Sequence, residues 1–290
     1  QAILAQGPFP QDRQRGSAEG VMGSREPGAE YNGELTPLAV RRLVKERDLL
    51  DRDSLHDQGI YHHFGSETHR AVALIVGPQD TPYANGFYLF EFFFPNGYPL
   101  KPPHVAFLTG DGRVRFNPNL YVNGKVCLSI LGTWQGPSWT SSCTFRTTLL
   151  SIQSLLCSSP LQNEPGHEAD VGKDSDLYSA MLRYENVAVA VLQLARPLLD
   201  RLEPLRPTMA RLFLRHFAGY LRVLDDFEAR EGHSDSCRLF GFSTKYAPRA
   251  VRQALESLRE ALLGDAAPGA EPPGDAGGAC GAPLGGAAEP

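Results

Sequence analysis

Apolar residues recur along this chain at two different periods, and the switch between them outlines its elements. Thr36 followed by Pro37 is a helix-start signal, a capping residue and then proline at the first helical position. Val40, Leu43, Val44 and Leu50 follow at helical spacing, with Arg41, Arg42, Lys45 and Arg47 filling the rest of the surface. Four β-prone runs come next, at 60–64, 70–76, 87–94 and 105–108, separated by Gly-Pro and Asn-Gly turn signals. Short connections of this kind predict an antiparallel four-stranded meander. Tyr98-Pro99-Leu100-Lys101-Pro102-Pro103 lies between two of these runs and reads as a stiff turn, a ligand for a polyproline-binding domain being the other reading. The helical period returns at 145–156, where Leu149, Ile152, Leu155 and Leu156 form the buried face. A polar loop at 158–167 leads to three more helices, carrying Leu177 to Ala195, Phe213 to Phe227 and Val251 to Leu262. The class is therefore α+β. Stretch 1–32, rich in Gly, Gln, Pro and Arg, and stretch 264–290, of Ala, Gly and Pro with acidic residues, lack periodicity and are expected to be disordered tails, leaving a core at 33–200 and a helical extension at 201–263.

Composition narrows the function classes. With 290 residues, 42% of them hydrophobic, the chain can bury one sizeable core and an appendage. A formal net charge of −5 argues against a general nucleic-acid binder. No run of 18 apolar residues occurs, so no membrane span is expected. The five cysteines, Cys127, Cys143, Cys157, Cys237 and Cys280, include no C-x-x-C pair. Neither a disulfide framework nor a metal site is expected, and a reducing compartment fits best. The chain starts on Gln1, so the native start is expected upstream.

Candidate chemistry gathers between Phe116 and Trp139. Cys127 follows a Gly-Lys turn, with an Asn117-Pro118-Asn119 corner upstream and Trp134 and Trp139 downstream. Two rigid corners would hold the thiol without a mobile loop. A lone cysteine is more often a small buried hydrophobe, the reading kept for Cys143 and Cys157. Asn119 can donate to an oxyanion formed at an attacked carbonyl, or tie down its own turn, or both. No base adjoins Cys127. His104 and His167 are the nearest histidines and neither has a peptidase-type context, so a Cys–His peptidase is poorly supported. Exchange of an already activated acyl group needs no such base. An amine acceptor must lose its proton, and a lysine titrates near ~10.4; the Gln162-Asn163-Glu164-Pro165-Gly166 loop is the candidate gate. The basic face of the first helix is either solvated or a docking surface for an acidic partner.

The order of these motifs resembles the ubiquitin-conjugating enzymes. Phe116-Asn117-Pro118-Asn119, Gly124 through Trp134, and Asn163-Glu164-Pro165-Gly166 look like the Z branch of that family almost residue for residue, and the resemblance runs from about Leu35 to Leu263. It implies the family's UBC fold and an acyltransferase that takes ubiquitin onto Cys127 as a thioester and passes it to a substrate lysine, commonly with a ligase. The counterpart reading is a non-catalytic binding module of the same fold, which would lack the cysteine. By resemblance, Asn119 would stabilise the oxyanion, and Glu164 or Asn163 would condition the incoming lysine. Arg41, Arg42 and Lys45 would meet the activating enzyme. Leu100 and the loop containing Pro137 and Ser138 would join that helix in meeting the ligase. In the Z branch the modifier can also be a tandem-domain ubiquitin-like protein, supplied by an alternative activating enzyme. No cofactor is implied; ATP is consumed upstream by the activating enzyme. Cytoplasm and nucleus are the expected location. Two positions depart from the family pattern: Asn117 stands where a structural histidine is usual, and Glu164 where aspartate is.

Overall fold

The computed structural model describes residues 34–264; the two tails lie outside them, Gly264 apart. The first helix, α1 (Pro37–Arg52), starts where the capping signal places it: the Thr36 hydroxyl accepts from the amide of Ala39. Its buried stripe is Ala39, Leu43, Glu46 and Leu50. Val40 and Val44, expected on that face, are exposed at 36% and 39%. One residue turns a helix by about 100°, so positions 40 and 44 sit one step round from 39 and 43. The sequence pattern skipped Glu46 as polar and shifted the stripe.

Strands β1 (Ile60–Phe64), β2 (Arg70–Val76), β3 (Phe87–Phe93) and β4 (His104–Phe107) pair antiparallel in sequence order. All seven residues of β3 and the five interior residues of β2 are buried. A strand covered on both faces shows a continuous apolar run instead of alternation, and that is how these two read. On one face Ala71, Ala73, Phe90 and Phe92 pack with Leu43 and Leu50 of α1 and with Phe145, Leu149 and Ile152 of α2 (Phe145–Leu155). On the other, Val72, Leu74, Leu89 and Phe93 share a core with Met209, Phe213, Leu224, Leu255 and Leu258. Those residues belong to α4 (Arg206–Asp225) and α5 (Pro248–Gly264). The C-terminal extension is thus the second layer on the sheet. Glu91 of β3, 1% exposed, reaches this layer and forms a 2.6 Å ion pair with Arg201.

Residues 177–195 were expected to be one helix. They fall in α3 (Lys173–Glu185), one π-turn (Asn186–Val191) and a 3-10 turn (Leu192–Ala195). The change falls at Asn186, whose amide donates to Ala84 O and accepts from the Tyr88 hydroxyl, so a tertiary tether overrides the local period. Between α4 and α5 lies a hairpin absent from the sequence reading, β5 (Ser234–Cys237) with β6 (Phe242–Lys245). It packs on the first core through Cys237, Phe240 and Phe242. Among the described residues no helix is long and apolar enough to cross a membrane.

Candidate functional site around Cys127

Cys127 is fixed by a reciprocal pair of bonds to one residue. Its amide donates to Asn119 O at 2.9 Å, and Asn119 Nδ2 donates to Cys127 O at 2.8 Å. Upstream, the chain folds through a tight turn at Gly124, whose φ of +86° favours glycine, and the amide of Phe107 at the end of β4 donates to Gly124 O. Downstream, the Thr133 hydroxyl donates to Val126 O and accepts from the amide of Leu128. The two rigid corners are therefore present. The open display of the thiol is not: Cys127 is 1% exposed. The loop after it folds back, and a Cβ on Gly136 would come within 3.0 Å of Ser129.

The corner that carries Asn119 is itself held from below. Asn117, fully buried, uses every polar atom of its side chain. Its Nδ2 donates to the Tyr83 hydroxyl at 3.0 Å and to Leu155 O, at the end of α2, at 2.8 Å; its Oδ1 accepts from the Asn119 amide at 3.0 Å. An amide in this role satisfies the turn's buried donor and acceptor groups that face it. Asn119 differs. It is 4% exposed and its Oδ1 has no partner among the described residues, while Nδ2 has one hydrogen engaged and a second not used by Cys127 O.

The gate loop is tied to the same carbonyl. Asn163 Nδ2 donates to Leu155 O at 3.0 Å, so Asn117 and Asn163 meet at the end of α2. Glu164 follows, half-buried, its amide donating to Leu161 O, with no hydrogen bond to its carboxylate among the described residues. Farther along, Asp170 accepts from the Gly172 amide and sits 3.3 Å from His167 Nδ1; these hydrogen bonds hold its carboxyl below the usual range. His167 is thereby engaged, and burial holds His104 below the usual imidazole value. Neither histidine hydrogen-bonds Cys127. A cavity of about 550 Å³ separates this loop from the β5–β6 hairpin, with Leu161, His167, Tyr178, Cys237 and Leu239 in its wall.

The elements that bear the expected partner-facing residues are bonded to one another. Glu46 of α1 accepts from the Tyr98 hydroxyl at 2.7 Å and from the Phe145 amide at 2.7 Å. Trp139 Nε1 donates to Pro99 O at 2.7 Å. These bonds join α1, the proline turn and the loop after Cys127. Leu100 projects from the turn at 70% exposure, and Pro137 and Ser138 are exposed beside Trp139. Arg41 and Lys45 are exposed on α1. Arg42 is occupied: it is half-buried, pairs with Glu46 and donates to Cys143 O. Sequence reasoning missed Glu46, whose signal was a carboxylate within an apolar helical stripe.

It also missed Arg115. Its Nε donates to Asn117 O at 3.1 Å and its Nη2 to Pro118 O at 2.6 Å, gripping the corner from outside. The guanidinium lies 3.4 Å from the centroid of the Tyr121 ring, an attractive stacking.

Comparison with known proteins gives a consistent picture. The family model described as ubiquitin-conjugating enzyme matches residues 42–186. Ubiquitin-conjugating enzyme E2 Z of Homo sapiens is 44% identical over 177 residues, 56% of this chain and 50% of that protein. Dual E2 ubiquitin-conjugating enzyme/E3 ubiquitin-protein ligase BIRC6 of Homo sapiens is 38% identical over 202 residues, 66% of this chain and 4% of that protein. Among solved structures, human ubiquitin-conjugating enzyme E2 G1 matches with a TM-score of 0.37 and 30% identity, covering 42% of this chain and 98% of that one. The chain spans about half the length of the E2 Z proteins it matches.

Proposed function

The chain belongs to the ubiquitin-conjugating enzyme family, close to its E2 Z members, with the family's α+β fold, and on that premise we propose that it carries ubiquitin or a ubiquitin-like modifier as a thioester on Cys127 and transfers it to lysine. The modifier arrives already activated, as a thioester on an activating enzyme that has consumed ATP. The Cys127 thiolate attacks that carbonyl, a new carbon–sulfur bond forms, and the activating enzyme's thiolate leaves. A lysine amine then attacks the Cys127 thioester, and the Cys127 thiolate leaves as the amide forms. Exchange between thioesters is close to isoenergetic and needs no dedicated base, in keeping with a thiol that no histidine hydrogen-bonds among the described residues.

The observation that carries the reading is the bonding between Asn119 and Cys127. An amide held 2.8 Å from the cysteine carbonyl, with a further N–H beside the thiol's backbone, is a preorganised donor for the oxyanion formed on attack. The carboxylate of Glu164, unpaired and half-buried, is our candidate for orienting the amine and drawing off its proton, with Asn163 fixing the loop that bears it. Arg41 and Lys45 would face the activating enzyme, and Leu100 with Pro137 and Ser138 the ligase. By its resemblance to the Z branch, a tandem ubiquitin-like modifier is our second candidate cargo. A reducing compartment keeps a free thiol reduced, and we propose the cytoplasm and nucleus.

The test is charging in vitro with ATP, an activating enzyme and modifier. A species heavier by one modifier should appear on a non-reducing gel and vanish with thiol reductant. Running ubiquitin and the tandem modifier in parallel, each with its own activating enzyme, identifies the cargo. No charged species with either would refute the proposal.

A further inference from the structure

The β5–β6 hairpin lies outside the stretch matched by the family model, residues 42–186, yet it grips the segment that leads into the Asn117-Pro118-Asn119 corner. Two arginines of Arg113-Val114-Arg115 are held. Arg113 forms a 2.8 Å ion pair with Glu185 and donates to Ser243 O of β6, while the Thr244 hydroxyl donates to the same Glu185 carboxylate at 2.8 Å. Arg115 lies between Tyr121 of the site and Phe240 of the hairpin turn, its guanidinium carbon 5.6 Å from the Phe240 ring centroid. The Tyr178 hydroxyl of α3 donates to Arg115 O at 2.7 Å, and its ring packs 5.0 Å from Phe240. From this seat Arg115 donates to the carbonyls of Asn117 and Pro118, the two peptide units next to Asn119.

We propose that the C-terminal hairpin positions the corner for lysine transfer, with Phe240 seating Arg115 and Arg115 setting the direction of the Asn119 amide. Arg115 and Phe240 touch no reacting atom in this scheme and are positioning residues. The inference rests on the transfer chemistry proposed above. The hairpin would then be a working part of the site, contributed by the extension.

The experiment uses the full chain, pre-charged and then discharged to free lysine in single turnover across a range of lysine concentrations. Phe240→Ala and Arg115→Met should slow the limiting rate about three- to tenfold, the scale set by losing one stacked or charge-assisted contact. Half-saturating lysine and the rate of charging should stay at wild-type values. Phe240→Tyr, which keeps the ring, should restore the rate. Leu239→Ser, an exposed neighbour on the same turn, should behave as wild type. A readout independent of any modifier accompanies this: the side-chain amide signal of Asn119 in nitrogen-15 NMR, assigned by its loss in Asn119→Ala. That signal should move in Phe240→Ala and Arg115→Met and stay put in Leu239→Ser. Unchanged limiting rates overturn the inference, as does slowing that Phe240→Tyr fails to rescue. If the wild-type protein does not charge at all, the proposed function falls, and the amide signal alone decides the positioning: moved supports it, unmoved overturns it.

Discussion

Asn117 offers the sharpest test of how the site is built, because its three bonds can be removed or reversed with little change of shape. In Asn117→Ala, Leu155 O keeps Asn163 and the Tyr83 hydroxyl keeps Phe116 O as its acceptor. Only the Asn119 amide is orphaned, having donated to Asn117 Oδ1 at 3.0 Å. A buried unsatisfied donor costs about 1–3 kcal/mol, and the space left by the amide group adds about 1 kcal/mol. The expected loss is about 2–4 kcal/mol. Asn117→Asp has nearly the same shape but puts an oxygen where Nδ2 faced Leu155 O. The acid satisfies that carbonyl only when protonated, and burial raises a carboxyl of this kind by up to ~3–5 units. The folded pKa then lies above the unfolded value of ~3.9, so the folded state binds the proton more tightly. Stability must fall as pH rises between those two values, at ~1.4 kcal/mol per unit. From pH ~5 to ~7 the aspartate variant should lose ~2.7 kcal/mol that wild type and Asn117→Ala do not lose. Urea titrations of the three proteins at both pH values measure this. A pH-independent cost for aspartate, or a cost below about 1 kcal/mol for alanine, would refute the role given to Asn117.

Other expectations are more direct. Asn119→Ala should charge at a near wild-type rate and discharge to lysine about tenfold slower, ~1.4 kcal/mol of lost oxyanion stabilisation, in a single-turnover assay; equal discharge would make Asn119 structural alone. Arg201→Met leaves Glu91, 1% exposed, without its ion-pair partner, and should destabilise the fold by about 3 kcal/mol in urea titration, the lower end for a broken buried pair because Arg201 is partly exposed. Burial raises the carboxyl of Glu185 above its ordinary value, against the pull of Arg113. Wild-type stability should therefore drop as pH rises from the ordinary to the raised value, and Glu185→Gln should flatten that slope in thermal unfolding followed across pH.

Where local chemistry decides structure, the chain was readable. Thr36-Pro37 starts α1 at the expected residue, and the four β-prone runs are strands to within a residue at their ends. The apolar runs of β2 and β3 were legible as strands, but the cover on their second face, which α4 and α5 supply, was not. Where a distant partner decides, it was not. Glu46 looked like part of the solvated side of α1, yet it is buried by Tyr98, Phe145 and Arg42. Asn186 ends the α-helical period through Ala84 and Tyr88, about a hundred residues away. The β5–β6 strands have four residues each, and five of their eight positions are serine, threonine or aspartate, too polar to mark a strand without the core they cover. At the site, the cysteine and the corner were plain from motif spacing. Arg115 was not, since its meaning lies in two backbone carbonyls and a ring contributed by the extension. The burial of Cys127, 1% exposed, was also hidden, because motif spacing carries no information on what packs over a side chain.

The central claim is that Cys127 alone carries the modifier, and serine replacement tests it most directly. With ATP, activating enzyme and modifier, Cys127→Ser should accumulate an oxygen ester that survives thiol reductant and is cleaved by mild base, its mass increment mapping to residue 127. Cys127→Ala under the same conditions should remain uncharged. A reductant-sensitive adduct on Cys127→Ala, at Cys143, Cys157 or elsewhere, would contradict the account.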